Sequence, residues 1–420
     1  MARQSGGASS YLAATVGGIY LLGDGLYRFA LRYASHLSMT QKLLAYLFRR
    51  EVEKQAERRG DTAREPLDAA KFAALGVDVQ PETWLEDIAD ESLEIVERLV
   101  ERGEGAVVAI NGERGRGKSS FITRVLQRHE RGETEPESRG ACLRINCQPG
   151  GFKRFLKDAA LALELSGQVD EATVRAALER KQPALICVDD AQRLIRPLIG
   201  GLDDIDRLIG FARAIGGSTT WIVTIGAPAW QYLLRARGER ALFDEIIELE
   251  PWSERALNQL LRQRSSGAGF EPRFDDLVVP RQLDAASVQE ERDSTELDFA
   301  RILWDYSKGN PAVALHFWRA SLHMKDAEVY VRLFNTPPTA ELENLPSTLY
   351  FVLRAILQLE LALEADIVLC TDLAPAEVAD AVRFALSRRY IERRGDRLSL
   401  TWEWYRAVTQ VLHRQHLVLL

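Results

Sequence analysis

Residues 111–120, NGERGRGKSS, bring together three glycines, a lysine and two serine hydroxyls. They match the pattern G-x-x-x-x-G-K-[ST], in which glycines let successive backbone N–H groups converge on a phosphate at the positive end of a helix. In such a loop the lysine neutralises the β- and γ-phosphates and the following hydroxyl binds Mg²⁺. The spacing therefore predicts a nucleoside triphosphate site in which Ser119 is a metal ligand. The predicted nucleotide-binding residues of this loop are Gly112, Glu113, Arg114, Gly115, Arg116, Gly117, Lys118, Ser119 and Ser120.

An acidic pair further along the chain supplies groups that such a loop needs for reaction. Asp189 and Asp190 end the apolar run at residues 184–188, which has the composition of a buried strand. Beside the loop, Asp189 would hold Mg²⁺ through its water shell, and Asp190 would orient or deprotonate the attacking water. Asp190 and Lys118 are therefore predicted catalytic residues, and Asp189 is a predicted metal ligand.

The segments around the loop are those that must position it. Residues 106–110, AVVAI, form a short β-branched run that is typical of a strand covered on both faces in a parallel sheet. Helical periodicity follows the loop in SSFITRVLQRHE, and another amphipathic helix ends before it at Gly103. A strand, a glycine loop and a helix in this order predict an α/β fold with a parallel sheet.

Length and composition limit the class of protein. The 420 residues suggest roughly two to four domains, and 46% apolar with 27% charged residues are typical of a soluble globular chain. The net charge of −7 argues against a protein that binds nucleic acid or membrane through its total charge. Any such contact must therefore be made by a local basic surface. Four cysteines are interpreted as buried thiols of a reducing, cytoplasmic compartment. They are Cys142, Cys147, Cys187 and Cys370.

The N-terminal region, residues 1–80, combines an apolar segment with a charged linker. Residues 11–22 form an apolar run, and charges enter after it at Asp24 and Arg28. Because a membrane-spanning helix needs about 20 apolar residues, this run favours a buried or interfacial helix. Contact of residues 11–35 with a membrane, and so membrane association of a cytoplasmic protein, stays open as the alternative.

The two motifs resemble the additional-strand P-loop ATPases, the group that contains the AAA+ and STAND families and initiator-like members. GERGRGKSS resembles the Walker A motif, and LICVDDAQRL resembles the Walker B motif. CLRINCQ is similar to the second strand, and TTWIVTIGAP to the sensor 1 strand, with Thr224 as a catalytic residue near the γ-phosphate. The resemblance implies ATP and Mg²⁺ as cofactors, ATP hydrolysis, a RecA-like core at residues 81–250 and a helical lid at residues 251–335.

Two departures from the family pattern bear on turnover. Asp190 stands where AAA+ enzymes generally carry glutamate, and its shorter side chain reaches less far. In the lid stretch SKGNPAVAL, Pro311 belongs to the Gly-Asn-Pro turn that the resemblance places at the nucleotide. Ala312, however, stands where many AAA+ members have the sensor 2 arginine. In this respect the chain is more similar to switch ATPases of the STAND and initiator-like type, which implies slow turnover.

An arginine finger is implied late in the core. Arg235, Arg237 and Arg240 lie in that region, and Arg240 is favoured because RALFDEIIEL resembles the approach to the last core strand. A solvated arginine on a helix is the open alternative. Because a finger at Arg240 would complete the site of a neighbouring subunit, a homo-oligomer is predicted.

The C-terminal region, residues 340–420, is predicted to be a winged helix-turn-helix. Amphipathic helices at TLYFVLRAILQLEL and PAEVADAVRFALSRRY precede YIERRGDRLSLTW, which has a hairpin pattern with Gly395 and Asp396 at its tip. The hairpin is locally basic, and it could grip the phosphates of duplex DNA. Contact with a partner protein or docking on the core is the alternative. The residues predicted to contact DNA or a partner are Arg388, Arg389, Arg393, Arg394 and Arg397.

Two functions follow from this organisation. The first is a nucleotide-dependent switch that binds and slowly hydrolyses ATP to control assembly and contact with DNA. The second is a signalling scaffold similar to STAND proteins, whose nucleotide state controls oligomerisation and protein or membrane binding without DNA. DNA-stimulated hydrolysis would favour the first, and ATP-dependent assembly without DNA binding would favour the second.

Overall fold

The computed structural model describes residues 66–67, 69–75, 90–131, 141–167, 169–215, 217–237, 242–277 and 285–418. The apolar run at residues 11–22 and the predicted finger Arg240 lie outside these described residues. Within the described ranges, no helix is both long and apolar enough to cross a membrane.

The chain divides into two compact units. Of the described residues, the smaller unit contains 66–67, 270–277, 285–305 and 321–333, and the larger unit contains those between 69 and 269, 306–320 and 334–418. The domain boundaries expected from the sequence stay predictions.

The described part of the larger unit is built around a parallel sheet of five strands. In chain order these are β1 (Val107–Gly112), β2 (Cys142–Asn146), β3 (Leu185–Asp189), β4 (Thr220–Gly226) and β5 (Glu245–Glu248). Their spatial order is β2-β3-β4-β1-β5, and every neighbouring pair is parallel. The strands β1, β3 and β4 are buried along their whole length, as their continuous apolar runs predict. The expected α/β class with a RecA-like parallel sheet is confirmed.

Helices precede, connect and follow these strands, and two cores flank the sheet. Val108 and Ile110 of β1 lie in one buried core with the helices at residues 90–102 and 118–131. Val107 and Ala109 lie in the other core with the helices between residues 151 and 237. Because successive side chains of a strand point to opposite faces, β1 contributes to both cores. The helices are α1 (Ala69–Ala74), α2 (Asp90–Arg102), α3 (Lys118–Arg131), α4 (Gly151–Ala162), α5 (Glu171–Lys181), α6 (Asp203–Ile215), α7 (Ala227–Arg237) and α8 (Glu254–Gly267).

The segment after α8 contains strands that a helical lid does not predict. Two helices are present, α9 (Ala285–Ser307) and α10 (Pro311–Ser321). They are followed by an antiparallel hairpin of β6 (Leu322–Lys325) and β7 (Glu328–Val331). Asp326 and Ala327 form its two-residue turn with φ values of 50° and 66°, and such left-handed turns match the twist of paired strands. The turn lacks the Asn-Gly pair that usually predicts a two-residue hairpin turn from a sequence.

The C-terminal elements follow the order helix, helix, strand, helix, helix, hairpin and helix. The winged helix-turn-helix expected there stays a prediction. The strands β8 (Ala362–Leu363), β9 (Ile391–Arg394) and β10 (Arg397–Leu400) pair antiparallel in the order β8-β10-β9. The hairpin turn at Gly395 and Asp396 lies where the sequence predicts it, with Arg394 opposite Arg397. The helices are α11 (Ala340–Glu343), α12 (Ser347–Leu359), α13 (Glu364–Thr371), α14 (Pro375–Ser387) and α15 (Trp402–Arg414).

All four cysteines are free thiols with at most partial exposure, as predicted. Burial raises the pKa of Cys142 to about 11 and that of Cys370 to about 12. The pKa values of Cys147 and Cys187, which lie deeper in the core, are raised further for the same reason. These thiols are therefore poor nucleophiles and pack as small apolar side chains.

Replacement of Phe155 by alanine tests the core between the sheet and α4. Phe155 is fully buried, and its ring centroid lies 5.6 Å from that of Phe152 and 6.4 Å from that of Phe211. Because truncation leaves a cavity, Phe155→Ala should lower the free energy of unfolding by about 3–5 kcal/mol. Leu161→Ala is the control on the same helix, since Leu161 is 78% exposed, and it should change the value by less than about 0.5 kcal/mol. Urea unfolding followed by circular dichroism measures both, and equal effects would contradict this packing.

Candidate functional site

The glycine loop connects the end of β1 to the start of α3. Gly115 and Gly117 have φ values of +88° and +103°, which side-chain-bearing residues rarely adopt. A Cβ atom at Gly115 would lie 2.6 Å from the Cβ atom of Ala312 and 2.8 Å from a ring carbon of Trp402. The loop is therefore enclosed by the turn before α10 and by the start of α15, with no space for a side chain at this position.

Lys118 is the first residue of α3, and its ammonium group is buried. Its Nζ atom donates to the carbonyl oxygens of Gly112 at 2.9 Å and Glu113 at 3.2 Å, and to Oε1 of Glu360 at 3.2 Å. A lysine ammonium has three protons. Each proton therefore has an acceptor in this arrangement, and one of the acceptors is a carboxylate from the C-terminal region.

The two acids at the end of β3 are joined by a threonine on the neighbouring strand. The hydroxyl of Thr224 donates to Oδ1 of Asp189 at 2.8 Å and accepts from the backbone N–H of Asp190 at 2.9 Å. Arg144 of β2 donates to the other oxygen of Asp189, also at 2.8 Å. Thr224, which the sequence placed near the reacting phosphate, thus lies directly beside both predicted acids.

Asp190 has a strained backbone and strong local contacts. Its φ of 61° lies in the left-handed region, which Asp tolerates better than most residues. Its carboxylate pairs with Arg193 at 2.6 Å and accepts from the side chain of Gln192 at 2.9 Å. Burial raises its pKa, Arg193 opposes that effect, and the nearby charge of Glu360 adds to it. Any role in orienting water therefore requires Asp190 to act from within this network.

The oxygen groups near the loop fit a magnesium ion that binds together with a nucleotide. Ser119 and Asp190 line the same cavity as Lys118, and Asp189 can accept further hydrogen bonds from water because each carboxylate oxygen has two lone pairs. In the part of the chain that the structure describes, no group of three or more His, Cys, Asp or Glu residues could hold a metal ion. Mg²⁺ is usually held by few protein groups, waters and substrate phosphates, so this donor set is compatible with it.

Arg114 ties the glycine loop to the C-terminal region. Its guanidinium donates to the carbonyl oxygen of Leu400 at 2.8 Å and stacks 4.3 Å from the ring centroid of Trp402. Burial lowers its pKa, while the charge of Glu360 counteracts that shift. Glu113 adds an ion pair at 3.9 Å to Arg406. Arg114 thus has structural partners in addition to its predicted contact with nucleotide.

Asn310 holds the loop from the side of α10. Its side-chain nitrogen donates to the carbonyl oxygen of Arg114 at 2.8 Å, and its side-chain oxygen accepts from the N–H groups of Ala312 and Val313. It is thus an N-cap, followed by Pro311 in the first helical position. The Gly-Asn-Pro turn carried this signal in the sequence, but only Pro311 was predicted to be a site residue.

A cavity of about 910 Å³ opens beside the loop, which is large enough for a nucleotide. An apolar and aromatic part of its wall comes from Trp252, Leu260 and Leu315. Of the predicted nucleotide-binding residues, those that line it are Arg114, Gly115, Gly117, Lys118, Ser119, Ser120 and Pro311. Gly112, Glu113 and Arg116 support the loop from outside the cavity, since Arg116 donates to the carbonyl oxygen of Leu249 at 3.2 Å.

The arginines of the C-terminal hairpin have contacts within the chain. Arg393 pairs with Glu364 at 2.5 Å, and Arg394 pairs with Glu392 at 2.7 Å. Arg397 donates to the side chain of Gln148, which follows β2 of the sheet. Of the other two predicted contact residues, Arg388 stacks on Phe384, and Arg389 lines the cavity together with Arg394. The hairpin therefore faces this cavity with part of its basic surface.

Three residues of the site were not among those predicted from the sequence. Glu360 and Arg144 act across long separations in the chain, and only the fold brings them to Lys118 and Asp189. Asn310 had a local signal as an N-cap. The arginine-finger role of Arg240 stays a prediction, because this residue lies outside the described residues.

No protein-family model matches the sequence. No curated protein matches it at a significant level. Among solved structures, the Orc2 protein of Aeropyrum pernix in ADPNP–ADP complexes is similar at 12% identity with a TM-score of 0.40, over 83% of this chain and 99% of that chain.

Two further solved structures are similar over comparable lengths. The Orc1 protein of Aeropyrum pernix in complex with DNA has 16% identity and a TM-score of 0.38, over 84% of this chain and 99% of that chain. Cdc6p from Pyrobaculum aerophilum has 12% identity and a TM-score of 0.38, over 83% of this chain and 99% of that chain. The chemistry of the site is argued from this chain's own side chains.

Replacement of Thr224 by valine tests the link between the two acids. The change removes the hydroxyl that serves both Asp189 and Asp190, so it should lower the free energy of unfolding by about 1–3 kcal/mol. Thr220→Val is the matched control, because Thr220 lies on the same strand, is equally buried, and has no hydrogen-bond partner for its hydroxyl among the described residues. That control should be neutral or slightly stabilising in the same denaturant titration. A similar loss for both variants would contradict the link.

Proposed function

We propose that this chain is an ATP-dependent molecular switch, which binds ATP with Mg²⁺ and hydrolyses it slowly. The observation that carries the proposal is the convergence of Lys118, Ser119 and Asp190 on one cavity at the start of α3. Thr224 of β4 hydrogen-bonds to both Asp189 and Asp190 at the end of the adjacent strand β3. A buried lysine, a hydroxyl and an acidic pair at this place are the groups that phosphoryl transfer to water requires.

Each group has a distinct task in this proposal. The backbone N–H groups of the loop and the N-terminus of α3 would bind the phosphates, since both present positive charge to an anion. Lys118 would neutralise the β- and γ-phosphates after a phosphate oxygen replaces Oε1 of Glu360 as one of its three acceptors. Ser119, and Asp189 through water, would hold Mg²⁺, which supplies charge neutralisation on the phosphates when bound. Arg144 and Thr224 hold the carboxylate of Asp189 in place through hydrogen bonds to its two oxygens.

Slow hydrolysis is part of the proposal because the water-orienting acid is poorly placed for rapid turnover. Asp190 has a short side chain, and it is engaged with Arg193. Ala312 provides no charge where a lid arginine would stabilise the transferred phosphoryl group. A slow enzyme of this kind persists in its ATP-bound state, which suits a switch better than a motor.

Adenine as the base and assembly into homo-oligomers complete the proposal. The apolar wall formed by Trp252, Leu260 and Leu315 suits a flat purine ring, and the chain has no evident guanine-reading N-K-x-D pattern. An arginine finger at Arg240 would act on the nucleotide of a neighbouring copy, which makes efficient hydrolysis dependent on assembly.

Contact with duplex DNA is a second candidate activity of the same switch. It is favoured by Arg393 and Arg394, whose side chains are 42% and 57% exposed on the hairpin. Exposed ion pairs are worth little, so phosphates could replace their glutamate partners. The contact of Arg397 with Gln148 favours the alternative, in which the hairpin docks on the core and the switch controls protein assembly without DNA.

Removal of the Lys118 ammonium tests the proposed nucleotide site. Lys118→Ala should abolish measurable ATP binding in isothermal titration calorimetry, because it removes the ammonium group that neutralises the β- and γ-phosphates in the proposed site. Lys153→Ala is the control, since Lys153 is an exposed lysine on α4, and its affinity should equal that of the parent protein. Equal ATP affinity for all three proteins would refute the site.

Removal of the exposed hairpin charges tests contact with DNA. The double variant Arg393→Ala/Arg394→Ala should bind duplex DNA more weakly than the parent. The slope of log affinity against log salt should become shallower by about 0.9 per lost contact. Arg180→Ala, an exposed arginine on α5, is the control and should match the parent in fluorescence anisotropy titrations. If the parent does not bind duplex DNA below about 10 μM at low salt, the scaffold alternative replaces the DNA candidate.

A further inference from the structure

Glu360 brings a carboxylate from the C-terminal region into the nucleotide site. Its Oε1 atom lies 3.2 Å from Nζ of Lys118, and its side chain is only 10% exposed. A Cβ atom added to Gly226, the last residue of β4, would lie 2.4 Å from the same oxygen. The carboxylate thus lies at the carboxyl end of β4 and against the loop lysine, and glycine at position 226 leaves space for it.

The backbone at Glu360 is held in an unfavourable conformation. Its φ and ψ values are 59° and −39°, and the N–H group of Leu361 donates to the carbonyl oxygen of Leu359 at 2.7 Å. This is a γ-turn of the rare and strained kind. Strain at a non-glycine residue persists only where surrounding contacts maintain it, and such residues cluster at switches and ligand clamps. The ion pair with Lys118 is a contact that can maintain it.

Glu360 and a nucleotide phosphate cannot both use Lys118 in the way described. The ammonium group already has three acceptors, two of which are carbonyl oxygens of the loop itself. A phosphate must therefore replace Glu360, which is the acceptor that does not belong to the loop. Two anions beside one ammonium also repel each other, most strongly in a buried site.

We propose that Glu360 is an internal substitute for a nucleotide phosphate, which holds the C-terminal region against the glycine loop until a triphosphate displaces it. The inference rests on the proposed function. The contacts that Arg114 makes with Leu400 and Trp402, and the ion pair between Glu113 and Arg406, join the same loop to the same region. Displacement of Glu360, which follows α12, therefore removes one of several contacts that join the loop to the C-terminal region; the others are made by Leu400 of β10 and by Trp402 and Arg406 of α15. Nucleotide binding and release of this region become coupled.

Glu360→Gln tests the inference because it keeps the shape of the side chain and removes its charge. The affinity for a non-hydrolysable ATP analogue with Mg²⁺, measured by calorimetry, should increase roughly tenfold, the change that corresponds to the loss of one charge-assisted competitor. Basal ATP hydrolysis at subsaturating ATP should rise. Glu341→Gln, at an exposed position on α11, is the control and should match the parent in both assays. Unchanged affinity, or loss of hydrolysis with unchanged affinity, would overturn the inference.

Hydrogen exchange of α15 provides a readout that needs no nucleotide. The Glu360→Gln variant alone should exchange faster at the start of α15 than the parent, and the analogue should accelerate exchange there in the parent. Equal protection in all states would overturn the proposed coupling. If neither protein binds the analogue, the proposed ATP function fails. Faster exchange in Glu360→Gln would then still establish the holding contact, whereas unchanged exchange would overturn both.

Discussion

The site depends on one requirement: each proton of the buried Lys118 ammonium group must have an acceptor. Lys118 is only 6% exposed, and a charge removed from water is costly unless it is paired and hydrogen-bonded. Two acceptors are carbonyl oxygens of its own loop, so the fold provides them. The third acceptor is the carboxylate of Glu360. In the proposed switch a phosphate replaces this carboxylate, and that exchange would connect the chemistry of the loop to the position of the C-terminal region.

The order of the strands explains how the other groups reach this lysine. Moving across the sheet, β2 supplies Arg144, β3 supplies Asp189, β4 supplies Thr224, and β1 leads into the loop that carries Lys118. Parallel strands present their carboxyl ends on one edge, which is where open α/β sheets bind ligands. Hydrogen bonds from Arg144 and Thr224 to Asp189 then connect neighbouring strands through their side chains. The site is thus a consequence of strand order and of the residue type at each strand end.

Local patterns in the sequence were sufficient for the parts of the site that lie within one segment. The glycine loop, the buried strand before the acids and the C-terminal hairpin turn at Gly395 all have short-range signals, and the structure has these features. Glu360 could not be predicted, because a glutamate at a helix end carries no sign that tertiary packing will place it on a lysine of another region. The β6–β7 hairpin was missed because its Asp-Ala turn lacks the usual glycine or asparagine pair. Arg397 shows a related limit, since a basic hairpin has the same composition whether it faces DNA or Gln148.

The most direct test of the account is an experimental structure of the protein with a non-hydrolysable ATP analogue and Mg²⁺. The account predicts that the triphosphate lies along the loop between β1 and α3, with Nζ of Lys118 within hydrogen-bonding distance of a phosphate oxygen. It also predicts that the carboxylate of Glu360 has moved away from that nitrogen. An analogue bound elsewhere, or a triphosphate on the loop with the Lys118–Glu360 pair intact, would contradict the exchange of anions at this lysine.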